Sequence, residues 1–171
     1  MDRIELDKKG VLFSDVSWVA SAVSKDLGRR SLTCLYVDTG WIVATDGHQL
    51  HAMKFEEDAR PDWEEGLYRI LSNKKTELVA MKDNDAGKFP DWRAVFPSDE
   101  HVDRVEFTLN AKNPDGPYAK TIRMLPAEFT LAYKYFVALG DGEYCALYYK
   151  NGPVCFIGGS RWALIMPKKV S

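Results

Sequence analysis

The residues with the clearest chemical potential lie close together, between positions 46 and 51. Asp46, His48 and His51 supply a carboxylate and two imidazoles, the groups used in acid–base catalysis and in metal sites. The sequence offers no fourth ligand beside them, and Asp46-Gly47 is a typical tight-turn dipeptide. A nucleotide-binding glycine loop, a nucleophile elbow and an HExxH motif are also missing from the sequence. We predict a protein that is not an enzyme and has no metal or cofactor, with a metal or acid–base site as the weaker alternative.

Composition narrows the class of protein. The chain has 171 residues, 46% of them hydrophobic, which suits one globular domain or two very small ones. The formal net charge of −2 argues against a nucleic-acid binder held by bulk positive charge, although a local basic face can still act. The three cysteines form no CxxC pair, and each lies in an apolar run, as in a reducing compartment. Without an apolar run of about 20 residues, a soluble, cytoplasmic protein with no membrane partner is expected.

Hydrophobic spacing predicts the elements of the first half. A short strand over residues 10–13 is followed by a helix that Ser14 or Asp15 caps and Gly28 ends. The helix has apolar residues at 16, 19, 20, 23 and 27, which share one face. Further strands are predicted over residues 32–37, 41–45, 49–55, 67–71 and 77–81.

The second half shows the same order of elements. Strands are predicted over residues 105–109 and 120–125, then a helix between Pro126 and Gly140, then strands over 144–149, 154–157 and 162–166. The segment 89–97, bracketed by two prolines, is expected to be extended. Two units of strand, helix and antiparallel strands predict an α+β fold with short helices on antiparallel sheets. We expect a single domain over 1–171, with a first unit of about 1–97 and a second of about 98–171.

Three segments, in order along the chain, resemble those of one known family. Ala-Thr-Asp-Gly-His-Gln-Leu at 44–50 is similar to ATDGHRL, and Phe-Pro-Asp-Trp-Arg-Ala-Val at 89–95 is similar to FPDYRRV. Leu-Ile-Met-Pro-Lys at 164–168 is similar to a terminal VVMPMR. Together they look like the bacterial DNA polymerase III beta sliding clamp. The resemblance implies a DNA-clamp-like fold and a DNA polymerase processivity factor.

In that family the three segments form a pocket for a short linear peptide, carried by polymerases and other replication proteins. The resemblance implies that Leu50, Pro90, Val95, Leu164 and Met166 form an apolar trough for the peptide anchors. The full set of implied peptide-binding residues is Thr45, Gly47, His48, Gln49, Leu50, Pro90, Arg93, Val95, Leu164, Ile165, Met166, Pro167 and Lys168.

The resemblance also implies non-specific contact with the backbone of double-stranded DNA and a homo-oligomer. The candidate DNA-contacting residues are Lys25, Arg29, Arg30 and Lys134, although an ordinary solvated helix face explains them equally well. The alternative function is an adaptor or decoy that captures clamp-binding peptides or clamp subunits without encircling DNA. The low basic content of the chain favours this alternative.

Overall fold

The computed structural model describes residues 2–98, 100–110, 112–150 and 152–170. The chain divides into two compact units, Met1–Pro90 and Asp91–Ser171. Residues 91–97, assigned above to the first unit, therefore belong to the second. Whether the two units act as one domain stays a prediction.

The first unit is a mostly antiparallel sheet with one short helix. Its sheet has the order β1-β6-β5-β2-β3-β4, and every pairing that we describe within it is antiparallel. The helix α1 contacts β3 and β4 and buries Val16, Trp18 and Val19. In chain order its elements are β1 Arg3–Asp7, α1 Phe13–Ala20, a 3-10 helix Arg30–Thr33, β2 Cys34–Asp38, β3 Trp41–Thr45, β4 Gln49–Lys54, β5 Gly66–Lys74 and β6 Glu77–Lys82.

The predictions at the start of this unit are partly wrong. The first strand is β1, not residues 10–13, because the Gly10 amide donates to the Asp7 carbonyl and closes a turn at 2.9 Å. No side chain caps α1, and Ser14 and Asp15 lie inside it. The helix ends at Ala20 rather than near Gly28, and soon afterwards the Ser24 amide bonds to the Leu32 carbonyl at 2.8 Å.

The second unit carries a four-stranded antiparallel sheet in the order β11-β10-β9-β7. A separate antiparallel pair joins β8 to β12. The elements are a 3-10 helix Trp92–Val95, β7 Asp103–Leu109, α2 Asp115–Ile122, β8 Phe129–Thr130, α3 Tyr133–Val137, β9 Gly142–Tyr148, β10 Val154–Gly158, β11 Arg161–Ile165 and β12 Lys168–Lys169.

Helix α2 is the largest departure from the sequence predictions in this unit. Residues 120–125 were predicted as a strand, but α2 covers the first three of them. Pro114 precedes the helix and Asp115 lies in its first turn, two features that favour a helix start. Thr121 is buried, and its hydroxyl donates a hydrogen bond to the Pro117 carbonyl at 3.0 Å. This bond satisfies a polar group that burial removes from water.

Two further segments differ from the predictions. The helix expected between Pro126 and Gly140 is reduced to α3, because Phe129 and Thr130 form β8 and pair with Lys169 and Lys168. The segment 89–97 is not extended throughout, since residues 92–95 form a 3-10 helix that buries Trp92. The α+β fold class itself is confirmed, with short helices beside antiparallel strands in both units.

The cysteines behave as core residues. Cys34, Cys145 and Cys155 are free thiols, and Cys34 and Cys155 are buried. Burial raises the pKa of Cys155 from 9.0 to about 12, so its thiol stays neutral and poorly nucleophilic near neutral pH. Among the described residues, no helix is long and apolar enough to span a membrane.

Candidate functional site

The turn between β3 and β4 is held by its own side chains. The Thr45 hydroxyl donates to the Gln49 carbonyl at 2.6 Å and accepts from the Gly47 amide at 3.0 Å. Asp46 Oδ1 accepts from the amides of His48 and Gln49 at 2.8 and 3.0 Å. These four bonds fix the backbone of the turn before any partner arrives.

Gly47 lies at the tip of this turn and meets a cation from a neighbouring segment. Its φ of +91° is in the region that favours glycine. A Cβ at this position would lie 3.1 Å from Nη1 of Arg29 and 3.3 Å from Nη2. The glycine therefore allows both the turn conformation and the close approach of the Arg29 guanidinium to the backbone.

Replacing Gly47 with alanine should lower the free energy of unfolding by about 1–2 kcal/mol, because an L side chain disfavours this φ and would press on Arg29. Urea-induced unfolding measures the loss. Gly116→Ala is a matched control, since Gly116 lies in α2 with open space around the added Cβ. It should be neutral or stabilising. Equal losses in both variants would contradict this role of Gly47.

The predicted acid–base or metal alternative is not supported by the placement of its residues. His51 is fully buried, stacks on Trp18 with ring centroids 4.1 Å apart, and has Nδ1 3.0 Å from the Trp18 carbonyl oxygen. His48 is exposed, and the Asp46 carboxylate is bonded to amides of its own turn. Within the described residues, no group of three His, Cys, Asp or Glu side chains is arranged to hold a metal ion.

The remaining predicted peptide-binding residues of the first unit differ in exposure. Thr45, Gln49 and Leu50 are buried, while Gly47 and His48 are exposed. Pro90, at the end of this unit, is also exposed. The exposed residues of this turn are therefore Gly47 and His48, whereas Leu50, predicted to line the apolar trough, is buried.

In the second unit, the C-terminal segment changes from buried to exposed at Met166. Leu164 and Ile165 are buried in β11, whereas the Met166 side chain is 46% exposed. Lys168 is exposed in β12. Arg93 and Val95 are exposed in the 3-10 helix, and the Arg93 guanidinium lies 4.4 Å from the centre of the Trp92 ring.

A cavity of about 190 Å³ in the second unit is lined by Phe129, Tyr148, Gly152, Met166 and Pro167. Met166 and Pro167 belong to the predicted set, and the other three were missed. Phe129 was expected on a helix and Tyr148 inside a strand, so no local sequence signal indicated that the two side chains line the same cavity. Phe129 contributes to this wall from β8, whose partner strand β12 begins directly after Pro167.

The candidate DNA-contacting residues of the first unit do not lie on its helix. Helix α1 contains no lysine or arginine, and Lys25, Arg29 and Arg30 follow it. Nη2 of Arg30 lies 3.5 Å from Oδ2 of Asp83. Nε of Arg69 lies 3.8 Å from the same oxygen, and Arg69 was not among the predicted cations. This carboxylate offsets part of the local positive charge.

Lys134, the fourth candidate, is exposed on α3. Its ammonium lies 4.6 Å from the centre of the Tyr135 ring. The structure therefore leaves one candidate cation on an α-helix, Lys134, and three on the segment after α1, where Arg30 begins the 3-10 helix.

Comparison with known proteins identifies solved structures that share this fold. No family model and no curated protein sequence matches the chain. DNA polymerase III subunit beta from Borrelia burgdorferi, solved with a natural product, matches with a TM-score of 0.62 and 14% identity, over 99% of this chain and 63% of that one. The DNA polymerase sliding clamp from Pseudomonas aeruginosa matches with a TM-score of 0.64 and 13% identity, over 99% of this chain and 66% of that one. Caulobacter crescentus pol III beta matches with a TM-score of 0.60 and 17% identity, over 99% of this chain and 66% of that one.

These matches confirm the predicted resemblance at the level of the fold. The chain has the α+β fold of DNA polymerase III beta sliding clamps along almost its whole length. It spans less than two thirds of the length of each of these proteins.

Proposed function

We propose that this chain is a sliding-clamp-like processivity factor without catalytic activity. It binds the short linear motif of a DNA polymerase or another replication protein, and it contacts the backbone of double-stranded DNA without sequence preference. A homo-oligomer in the cytoplasm is the form we expect to act. The observation that carries the proposal is a clamp fold in which Met166 and Pro167, from the clamp-like C-terminal motif, line a cavity.

The cavity supports peptide recognition by its size and its walls. About 190 Å³ is below the roughly 300–1,000 Å³ of small-molecule sites, which suits one apolar side chain of a peptide. Phe129 and Tyr148 provide rigid aromatic surface, and Met166 adapts its shape to different anchors. A leucine or phenylalanine anchor is the side chain that these walls favour.

The Thr45–Leu50 turn supports a polar contribution to the same function. Gly47 and His48 are exposed on a backbone that four hydrogen bonds already fix. The Arg29 guanidinium beside Gly47 carries donors that can pair with a peptide carbonyl or carboxylate. We therefore assign Arg29 primarily to peptide binding and only secondarily to DNA contact.

For DNA contact, the supporting residues are Lys25, Arg30 and Lys134, all exposed cations. They are few, one of them is paired with Asp83, and the formal net charge of the chain is −2. Binding by one copy should therefore be weak and strongly salt-dependent. Retention on DNA would depend on several copies that enclose the duplex together.

The decisive experiment compares closed circular DNA with the same DNA made linear, in the presence of the chain and a fluorescent clamp-binding peptide. A clamp should be retained on the circle and lost from the linear form, with retention that falls as salt rises. Lys134→Gln should reduce DNA retention and leave peptide binding unchanged.

The alternative, an adaptor or decoy for clamp-binding peptides, is favoured by the absence of cations from α1 and by the net negative charge. Peptide binding without retention on either DNA form would establish it over the clamp. Loss of peptide binding as well would refute both functions.

A further inference from the structure

We propose that the first unit carries a separate docking surface for a protein segment that combines acidic with apolar side chains. The surface lies on the sheet face opposite α1. We call it the arginine–methionine face, and its members are Arg3, Arg30, Arg69, Leu71 and Met81. None of them lines the cavity at Met166 or belongs to the Thr45–Leu50 turn, so the inference goes beyond the proposed function.

The register of three neighbouring strands places a methionine between two arginines. Met81 on β6 is opposite Arg69 on β5 and opposite Arg3 on β1. Directly opposed residues on paired strands point to the same face of the sheet, so these three side chains share a face. All three are exposed.

The other face of the same strands is buried. Tyr68, Ala80 and Ile4, each next to one of these three residues along the chain, are fully buried. Helix α1 contacts both β5 and β6. The helix therefore covers one face of these strands, while the arginine–methionine face meets water.

Positive charge exceeds negative charge where Arg30 joins this face. Nη2 of Arg30 and Nε of Arg69 lie 3.5 and 3.8 Å from the same Oδ2 of Asp83. Both distances are longer than the about 2.7–2.9 Å of a charge-assisted hydrogen bond, so the two guanidiniums keep donors for a second carboxylate. Both arginine side chains are more than half exposed, whereas that of Asp83 is 10% exposed. Burial raises the pKa of Cys34, opposite Arg69 on β2, so its neutral thiol adds no negative charge.

Apolar side chains beside these arginines are also exposed. Met81 is 40% exposed and Leu71 is 52% exposed. Leu71 lies at the register shift between β5 and β6, where the pairing passes from Ile70 to Ser72. Exposed apolar side chains grouped on neighbouring strands and bordered by charge are typical of a protein interaction surface.

This combination favours an acidic protein segment over duplex DNA. The carboxylates of Asp and Glu match the planar fork of a guanidinium, and apolar side chains of the same segment can bury Met81 and Leu71. A DNA backbone offers phosphates to Arg30 and Arg69, but it has no apolar group to cover these two side chains. Duplex DNA is therefore the competing occupant that a test must separate.

A peptide titration of the full-length chain provides that test. The probe is a fluorescein-labelled peptide of sequence Gly-Ser-Asp-Leu-Glu-Leu-Asp-Gly-Ser, and fluorescence anisotropy measures its binding. Affinity should fall as salt rises, and a peptide with Lys in place of each acidic residue should not bind. Arg69→Gln should weaken binding by about fivefold or more, and Met81→Ala by about threefold or more.

Two matched variants test whether the effect belongs to this face. Arg60→Gln removes another exposed arginine of the first unit, whose Nη2 lies 4.0 Å from Glu65, and it should leave the affinity unchanged. Met166→Ala should also leave it unchanged, because the cavity is a different surface. If Arg69→Gln unfolds at a lower urea concentration than the wild type, Arg30→Gln supplies the same measurement from the 3-10 helix.

Three results would overturn the proposal. The first is equal binding of the acidic and the lysine peptide, or unchanged affinity in both Arg69→Gln and Met81→Ala. The second is loss of binding in Met166→Ala, which would place the acidic peptide in the cavity instead. The third is reduced retention of Arg69→Gln on closed circular DNA with unchanged peptide affinity, which would make this face a DNA contact.

Discussion

Replacing Met166 with alanine should weaken binding of a clamp-binding peptide by about tenfold or more. Met166 is 46% exposed and lines the cavity of the second unit, so a bound peptide would bury much of a side chain that water now covers. Truncating a side chain that becomes buried at the centre of an interface commonly costs more than about 1.4 kcal/mol, which corresponds to a tenfold change in affinity. Fluorescence anisotropy with a labelled peptide measures the change.

Met81→Ala is the matched control for this substitution. Met81 is 40% exposed on β6 of the first unit, and the same atoms are removed without touching the cavity. It should leave the peptide affinity unchanged, and both variants should unfold at nearly the wild-type denaturant concentration. Wild-type affinity in Met166→Ala would refute the assignment of this cavity to the peptide anchor. Equal weakening in both variants would point to a general effect.

Replacing Phe136 with alanine should remove about 3–5 kcal/mol from the free energy of unfolding of the second unit. The Phe136 side chain is fully buried at the centre of an aromatic cluster. Its ring centroid lies 5.6 Å from that of Phe107, 5.9 Å from Phe156 and 5.3 Å from Tyr118. The loss combines the transfer of a large apolar side chain with the cavity left behind, and it is comparable to the whole stability of a small domain.

Urea-induced unfolding monitored by tryptophan fluorescence measures this loss, with Trp92 and Trp162 reporting on the second unit. Tyr133→Ala in the same helix serves as the comparison, because Tyr133 is 43% exposed. It should cost much less, even though its hydroxyl bond to Asp115 at 2.6 Å is lost. A small effect of Phe136→Ala would mean that the cluster repacks freely around the gap.

Elements with strong local signals were predicted well from the sequence. The strands around the Asp46-Gly47 turn were placed within a residue or two of β3 and β4. Apolar runs interrupted by tight-turn residues fix both the strands and their connection locally. The strands of the C-terminal meander, β9 to β11, follow the same rule and were also found.

Helices and short strands were predicted less well, because contacts distant in sequence decide them. The Phe129–Thr130 segment has an apolar spacing that fits a helix, yet it forms β8 because Lys168 and Lys169 pair with it. The last three residues of helix α2 were predicted as the start of a strand, since Thr121 and Ile122 favour strands and the burial of Thr121 could not be foreseen. Tertiary packing overrides such weak local preferences.

The sequence by itself determined the clamp-like α+β class, the turn at Asp46-Gly47 and the identity of Met166 and Pro167 as candidate contacts. Each of these depends on neighbouring residues or on short motifs that can be read in order along the chain. The tertiary structure alone decided that Phe129, Tyr148 and Gly152 share a cavity with Met166, and that Arg29 lies against Gly47. It also decided which strands are left at the sheet edges. Cavities and edges arise from the pairing of distant strands, and that pairing is set by the burial of the whole core rather than by any local pattern.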